Sequence, residues 1–401
     1  MDWQLSEDTV PSGFITDAQA RSLLGKPPAS GAWRQGDPVG HRHFTDIGAL
    51  ALESGQSLPG VRLAWQSWGT LNPARDNAVL VCHALTGDSH LAGRPGRGHP
   101  TGGWWSGIVG PGLAIDTDEF FVVAANMLGG CQGSTGPASL APDNREWGAR
   151  FPFITIRDQV AAQAALSEAL GIDSWHLVIG GSMGGMQVLE WAVGHPDKVR
   201  RVGILAAPAA MSADQIAHNS VQLEAIRMDP KFQDGDYYDA SDGEGPHRGL
   251  ALARRMALLT YRSSDEFNDR FARSWQSGIS PLGGGGRFAV ESYLDFHGNK
   301  FTRRFDANSY VTLALAMSSH DVGRGRGGIE AALALATASA LVLGIDSDRL
   351  FPVDNQRIIA AHLSGNIDGD DIDLISSDYG HDGFLIEDAK VAAAIRRLLA
   401  A

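Results

Sequence analysis

Short apolar runs of strand length recur along the chain, separated by stretches whose apolar residues repeat at helical spacing. Ala78-Val-Leu-Val-Cys82, Phe120-Phe-Val-Val-Ala124, Trp175-His-Leu-Val-Ile179, Val202-Gly-Ile-Leu-Ala206, Ala340-Leu-Val-Leu343 and Ile372-Asp-Leu-Ile375 predict strands. Between them, Asp158–Leu170 (closed by Gly171), Met186–Val193 and Lys390–Leu399 predict helices. Mostly apolar strands alternating with helices predict a largely parallel sheet covered on both faces. Upstream, Gly48–Leu52 and Val61–Trp65 flank Gly55 and a Leu58-Pro59-Gly60 turn, and predict an antiparallel pair.

Two regions break this rhythm. Residues 1–42 mix Pro, Gly, Ser and polar residues without periodicity and predict a loosely ordered leader. Within 210–335 the pattern is helical only: Ala213–Met228, Arg248–Tyr261, Asp265–Trp275, Phe288–Asp295 and Asn308–Ser318. Five helices inside an α/β chain predict an inserted lid, which leaves 43–209 and 336–401 as the core.

Composition narrows the function. Of 401 residues, 33 are Lys or Arg and 46 Asp or Glu, for a formal charge of −13. That sign argues against nucleic-acid and anionic-membrane partners, both of which need local positive charge. The N-terminal residues contain no apolar core of a signal peptide, and the longest apolar run, Ala331–Ile345, is too short to cross a bilayer. Two cysteines, Cys82 and Cys131, make no disulfide framework, and a cytoplasmic location is expected. The His and Cys spacings show no metal-site pattern. Gly283–Gly286 follows no strand, so it reads as a flexible link and not as a phosphate loop.

Gly180-Gly-Ser-Met-Gly184 fits G-x-S-x-G. In a chain this rich in glycine roughly 0.4 such matches are expected by chance, so position decides. The motif lies between a predicted strand and a predicted helix, on an elbow that would lift the Ser182 hydroxyl above the sheet. The triad partners on such an elbow follow the serine as acid and then histidine. His381 sits in the loop directly after Ile372–Ile375, where open α/β sheets carry chemistry; His362 sits in a helical stretch. The acid should follow Ala340–Leu343, where Asp348 is favoured and Asp346 is expected to hydrogen-bond the turn. The oxyanion hole would use the amide of Met183, after the nucleophile, and that of Leu85, in the loop after Ala78–Cys82.

Taken together, several segments resemble the homoserine O-acetyltransferases of the α/β-hydrolase fold. They are His83-Ala-Leu-Thr-Gly-Asp-Ser-His90, Gly129–Pro137, Trp147–Pro152, Thr155-Ile-Arg-Asp-Gln159, Gly180–Gly185, Leu259–Arg262, Arg304-Phe-Asp306, His320–Arg324, Asp348–Pro352 and Tyr379-Gly-His-Asp382. The resemblance runs from about residue 45 to the C-terminus. Phe351 stands where many relatives have Tyr, and the first 40 or so residues take no part. It implies acetyl transfer from acetyl-CoA to L-homoserine in methionine biosynthesis, by a ping-pong route with Ser182 as nucleophile, His381 as base and Asp348 as acid. It also implies no cofactor beyond the substrate acetyl-CoA, and a homodimer formed through the lid helices. Arg254, Asp382 and Tyr261 match the family's positions near the amino-acid substrate, where a guanidinium suits the carboxylate and an acid the ammonium. Succinyl transfer, a serine acceptor, or hydrolysis by the same triad remain alternatives at this stage.

Overall fold

The computed structural model describes residues 21–401. Eight strands form the central sheet: β1 (His43–Ala51), β2 (Ser57–Trp68), β3 (Ala78–Cys82), β4 (Phe121–Ala125), β5 (Leu177–Gly181), β6 (Arg201–Leu205), β7 (Ser339–Ile345) and β8 (Asp373–Ile375). Their order is β1-β2-β4-β3-β5-β6-β7-β8. β2 runs antiparallel to both its neighbours, and every pair from β4 to β8 is parallel. The expected antiparallel pair is present, with Gly48 opposite Val61 and Leu50 opposite Leu58, but the chain turns at Leu52–Gln56, around Gly55, and Leu58-Pro59-Gly60 lies inside β2 because Leu58 pairs with Leu50. β3 and β5 are buried at every residue, which is why they read as continuous apolar runs and not as alternations.

Helices α1 (Ile156–Ala169), α2 (Met183–Gly194) and α9 (Asp388–Ala400) cover the faces of the sheet. α1 starts on a capping box: the Thr155 hydroxyl accepts from the Asp158 amide, and the Asp158 carboxylate accepts from the Thr155 amide at 2.8 Å. The same carboxylate accepts from the Glu53 amide and so ties β1 to α1. α2 is apolar nearly all round and buried from Met183 to Val193, as a helix packed against both the sheet and α1 must be. Trp175 and Trp191 are fully buried, and their indole N–H groups donate to Ser167 Oγ and Gln163 Oε1 at 3.1 and 2.8 Å.

The lid inserts between β6 and β7 as α3 (Ala213–Arg227), α4 (His247–Tyr261), α5 (Ser264–Phe271), α6 (Ala289–Phe301) and α7 (Ala307–Ser318). Two of these helices differ from the periodicity. α5 ends early, where Ala272 takes a left-handed φ of 43°. α6 continues two turns beyond Asp295 and through Gly298. That glycine does not stop the helix; it lets α6 approach α4, because a Cβ there would lie 2.9 Å from the Ala251 carbonyl oxygen. The chain leaving the lid is fastened to the core by Arg157. Its guanidinium reaches Glu53 and Glu190 and donates to the carbonyls of Asp321, Val322 and Arg324. A last core helix, α8 (Val353–Ala360), follows β7. His362 lies just past its end and is exposed.

Residues 1–20 of the leader lie outside the described residues. From 21 to 42 the chain has little regular structure, but it is anchored. The Trp33 amide donates to Cys131 O, Ser30 Oγ donates to Asp306, and the buried Arg42 guanidinium donates to carbonyls of Val39, Gly98 and Gln132.

Candidate active site

β5 runs into α2 through Ser182 alone, so Gly180 and Gly181 belong to the strand and Met183 opens the helix. Ser182 has φ 59° and ψ −126°, a conformation that L-residues adopt only under constraint. The constraint is visible. The Ser182 amide donates to Leu205 O on β6, and at Gly184 a Cβ would sit 2.2 Å from the Cys82 carbonyl oxygen. The elbow is therefore pressed against β3, and the glycine is what allows it. The Ser182 hydroxyl has no hydrogen-bond partner among the described residues.

Asp348 and His381 meet although 33 residues separate them. Asp348 Oδ2 accepts from His381 Nδ1 at 2.7 Å, and its other oxygen accepts from the Leu350 and Phe351 amides at 2.8 and 2.9 Å. Both residues are buried. Burial disfavours a charged His381 ring, yet the neighbouring Asp348 carboxylate holds its pKa above the ordinary histidine value. With Nδ1 committed to Asp348, Nε2 is left buried and unpartnered. That nitrogen and the free Ser182 hydroxyl are the two atoms a Ser-to-His proton transfer requires. Phe384 joins the two halves: its ring meets that of His381 edge-on at 5.5 Å and blocks any Cβ at Gly181.

Among the described residues Asp346 does not bond its own turn, as its sequence suggests it would, but reaches across to the loop of His381. Its Oδ1 accepts from the Ser377 amide at 3.0 Å, and Ser347 Oγ accepts from the Gly380 amide at 3.0 Å. These bonds staple the loop that carries Asp348 to the loop that carries His381.

Leu85 and Met183 have amides without an acceptor among the described residues. The Leu85 loop is clamped at its start. His83 Nε2 accepts from the Met127 amide at 3.0 Å, which leaves the proton on Nδ1 to donate to Ala84 O at 2.8 Å. Burial pushes the His83 pKa down to about 4, so this tautomer is neutral at ordinary pH.

The residues expected near the amino-acid substrate come from the lid and from the His381 turn. Arg254, on α4, has no carboxylate within ion-pairing distance among the described residues. Its guanidinium lies 5.3 Å from the Tyr261 ring centre and 5.2 Å from that of Phe301, and it reaches Thr86 Oγ1 at 3.4 Å. The Tyr261 ring is 5.9 Å from that of His381, and burial raises the pKa of its phenol. Asp382 already has a cation beside it, Arg262 Nε at 3.1 Å, a partner that sequence reasoning did not identify. His83 and Arg304 likewise carry no sign of their roles in the sequence, although both fall within the segments that carry the family resemblance. Nothing in their spacing marks them, because each acts on a loop distant in sequence.

A family model described as alpha/beta hydrolase fold matches residues 77–388. A homoserine O-acetyltransferase of Clavibacter michiganensis subsp. michiganensis is 71% identical over 385 residues, covering 96% of this chain and 99% of its own length. One from Leifsonia xyli subsp. xyli is 68% identical over 402 residues, covering 100% of both chains. Among solved structures, the homoserine O-acetyltransferase from Bacillus anthracis matches with TM-score 0.81 and 26% identity, over 90% of this chain and 97% of its own. Esterase E22 matches with TM-score 0.80 and 27% identity, over 89% and 99%.

Proposed function

Because this chain belongs to the homoserine O-acetyltransferases of the α/β-hydrolase fold, we propose that it moves an acetyl group from acetyl-CoA to the side-chain hydroxyl of L-homoserine through an acyl-Ser182 intermediate. The observation that carries the reading is the buried Asp348–His381 pair with its unpartnered Nε2, in a fold that presents Ser182 on a strained elbow. In the first half-reaction Ser182 Oγ attacks the thioester carbonyl while His381 Nε2 takes its proton. The carbonyl oxygen becomes an oxyanion held by the Leu85 and Met183 amides, each worth roughly 3 kcal/mol. Collapse breaks the C–S bond, and the CoA sulfur leaves with the proton from His381. In the second half, His381 takes the proton of the homoserine hydroxyl as that oxygen attacks the acyl carbon. Ser182 leaves and recovers the proton.

Asp348 accepts the Nδ1 hydrogen bond throughout, and so fixes the tautomer and stabilises the imidazolium. Arg254, a cation without a counter-ion among the described residues, takes the homoserine carboxylate, and Asp382 faces its ammonium beside His381. These side chains supply every proton transfer, so the reading calls for no resident cofactor. Water competes with homoserine for the acyl-enzyme, and a lid that shields the site favours transfer over hydrolysis.

The same reading places the enzyme in the cytoplasm, as an early step of methionine biosynthesis. Both cysteines are free, and no helix among the described residues is long and apolar enough to cross a membrane. It also makes the chain a homodimer through the lid. In support, Val221 and Met228 at α3, and Leu252 and Leu259 on α4, are exposed apolar side chains.

Rapid-quench peptide mass spectrometry with acetyl-CoA alone should find one acetyl group, on Ser182, and initial rates should give parallel ping-pong lines. Succinyl-CoA in place of acetyl-CoA should turn over poorly. Intersecting lines with an unmodified Ser182 peptide would refute the acyl-enzyme.

A further inference from the structure

Arg304 lies in the short connection between α6 and α7, at the base of the lid, and its guanidinium reaches across to the loop that follows β3. Its Nη1 donates to the Thr86 carbonyl oxygen at 2.9 Å, and its Nη2 donates to Asp88 Oδ2 at 3.0 Å. Thr86 is the residue after Leu85. Asp88 is buried; burial alone would raise its pKa, but the Arg304 charge and hydrogen bond, the His90 amide and the nearby His83 together outweigh this and hold it below the ordinary carboxylate value. The other Asp88 oxygen accepts from the His90 amide at 2.8 Å, so the carboxylate also fixes the end of its own loop. The backbone of Arg304 is pinned in turn: its carbonyl accepts from Gln132 Nε2 at 2.7 Å.

The segment 83–88 is thus held at its start by His83 on the Met127 amide and at its end by Arg304. Between the clamps the Leu85 amide stands without an acceptor among the described residues. An oxyanion donor works only if it is held where negative charge develops, and misplacement by a fraction of an ångström forfeits much of its effect. We infer that Arg304 is a positioning residue for the acyl-transfer chemistry, holding the Leu85 amide in place through its paired contacts with Thr86 and Asp88. The fork matters more than the charge, because a lysine ammonium cannot reach both acceptors in one fixed geometry. The inference rests on the proposed function, in which Leu85 binds the oxyanion of acyl-Ser182.

The test compares wild type, Arg304→Lys, Arg304→Gly and Asp88→Asn by pre-steady-state acylation with acetyl-CoA. Steady-state KM for homoserine and thermal unfolding are measured alongside. Acylation should slow by roughly 10- to 100-fold in Arg304→Lys, a part of the loss seen when one such donor is removed outright. KM for homoserine should stay within about twofold. A small alkylboronic acid, which forms a tetrahedral adduct on the serine, should bind more weakly in proportion. Added guanidinium should restore acylation in Arg304→Gly, which a lost packing contact would not permit, and Asp88→Asn should show the same acylation defect if the arginine variants fold poorly. Unchanged acylation in Arg304→Lys and Asp88→Asn, with wild type acylating normally at Ser182, would overturn the inference and leave the proposed function standing. A rise in homoserine KM alone would make Arg304 a substrate contact instead. No acylation of wild type would overturn both.

Discussion

Replacing Asp348 with Asn tests the triad assignment through two backbone amides rather than through charge alone. In the native site one carboxylate oxygen faces His381 Nδ1 at 2.7 Å, and the other accepts from the Leu350 and Phe351 amides at 2.8 and 2.9 Å. An asparagine must choose. With its oxygen on the two amides, its NH2 points at His381 Nδ1, which then has to accept. The imidazole proton moves to Nε2, and His381 can no longer take the Ser182 proton. Flipped the other way, the NH2 confronts two buried N–H donors and both bonds are lost, at about 1–3 kcal/mol for each unsatisfied group. The first arrangement therefore dominates, and the catalytically wrong tautomer with it. Where this substitution has been made in a serine triad the loss in kcat is on the order of 10⁴, equal to about 5.5 kcal/mol.

A loss of that size is expected here in the rate of Ser182 acylation, followed by stopped-flow release of the CoA thiol, with thermal stability near that of wild type. Removing the carboxylate also removes the main influence that raises the His381 pKa, so the residual activity should titrate at lower pH. Asp346→Asn should cost far less, because among the described residues its carboxylate accepts only from the Ser377 amide, a bond an asparagine oxygen can keep. A loss under about tenfold in Asp348→Asn, or a crippling one in Asp346→Asn, would refute the tautomer argument and the choice of acid.

Arg254→Ala should leave acylation by acetyl-CoA nearly intact but lower kcat/KM for homoserine by a few kcal/mol, with Arg254→Lys only partly restoring it, since the carboxylate would lose a two-pronged donor; steady-state kinetics with homoserine varied reads this directly. Asp382→Ala should behave similarly in the second half-reaction, and should also leave Arg262 with its longer contact to Glu266. Activity should rise with pH as His381 deprotonates, with the acid limb of the kcat/KM profile for acetyl-CoA centred above the ordinary histidine value of about 6.5. Stability should move with pH through other groups. His320 is buried with its pKa pushed down to about 3, so the unfolded chain binds a proton that the folded chain refuses; stability present above about 6.5 should be lost progressively as pH falls toward 3, and His320→Gln should flatten that part of the urea-unfolding profile.

What the sequence determined alone is what local chemistry can encode. A continuous apolar run of only five residues, such as Ala78–Cys82, is too short for a helix and suits a strand buried on both faces, and that strand appears with the predicted bounds. The elbow was legible because Gly184 admits a close approach that a side chain would forbid, and because strand and helix periodicities meet at Ser182. Asp348 and His381 were legible as residues in loops after strands, since chain order ranks few candidates there. Helix limits in the lid were less so. The helical pattern that the sequence shows ends at Asp295, and only the packing of α6 on α4 accounts for the continuation through Gly298. The partners of each charge were not legible at all. Arg262 beside Asp382, Arg157 against the carbonyls of Asp321 to Arg324, and Arg304 on the loop of Leu85 join residues up to 218 positions apart. No period or propensity links such pairs. They follow from which loops the sheet order brings to one edge, and burial then requires each charge and amide brought there to find a partner, or to be left open as a donor for substrate.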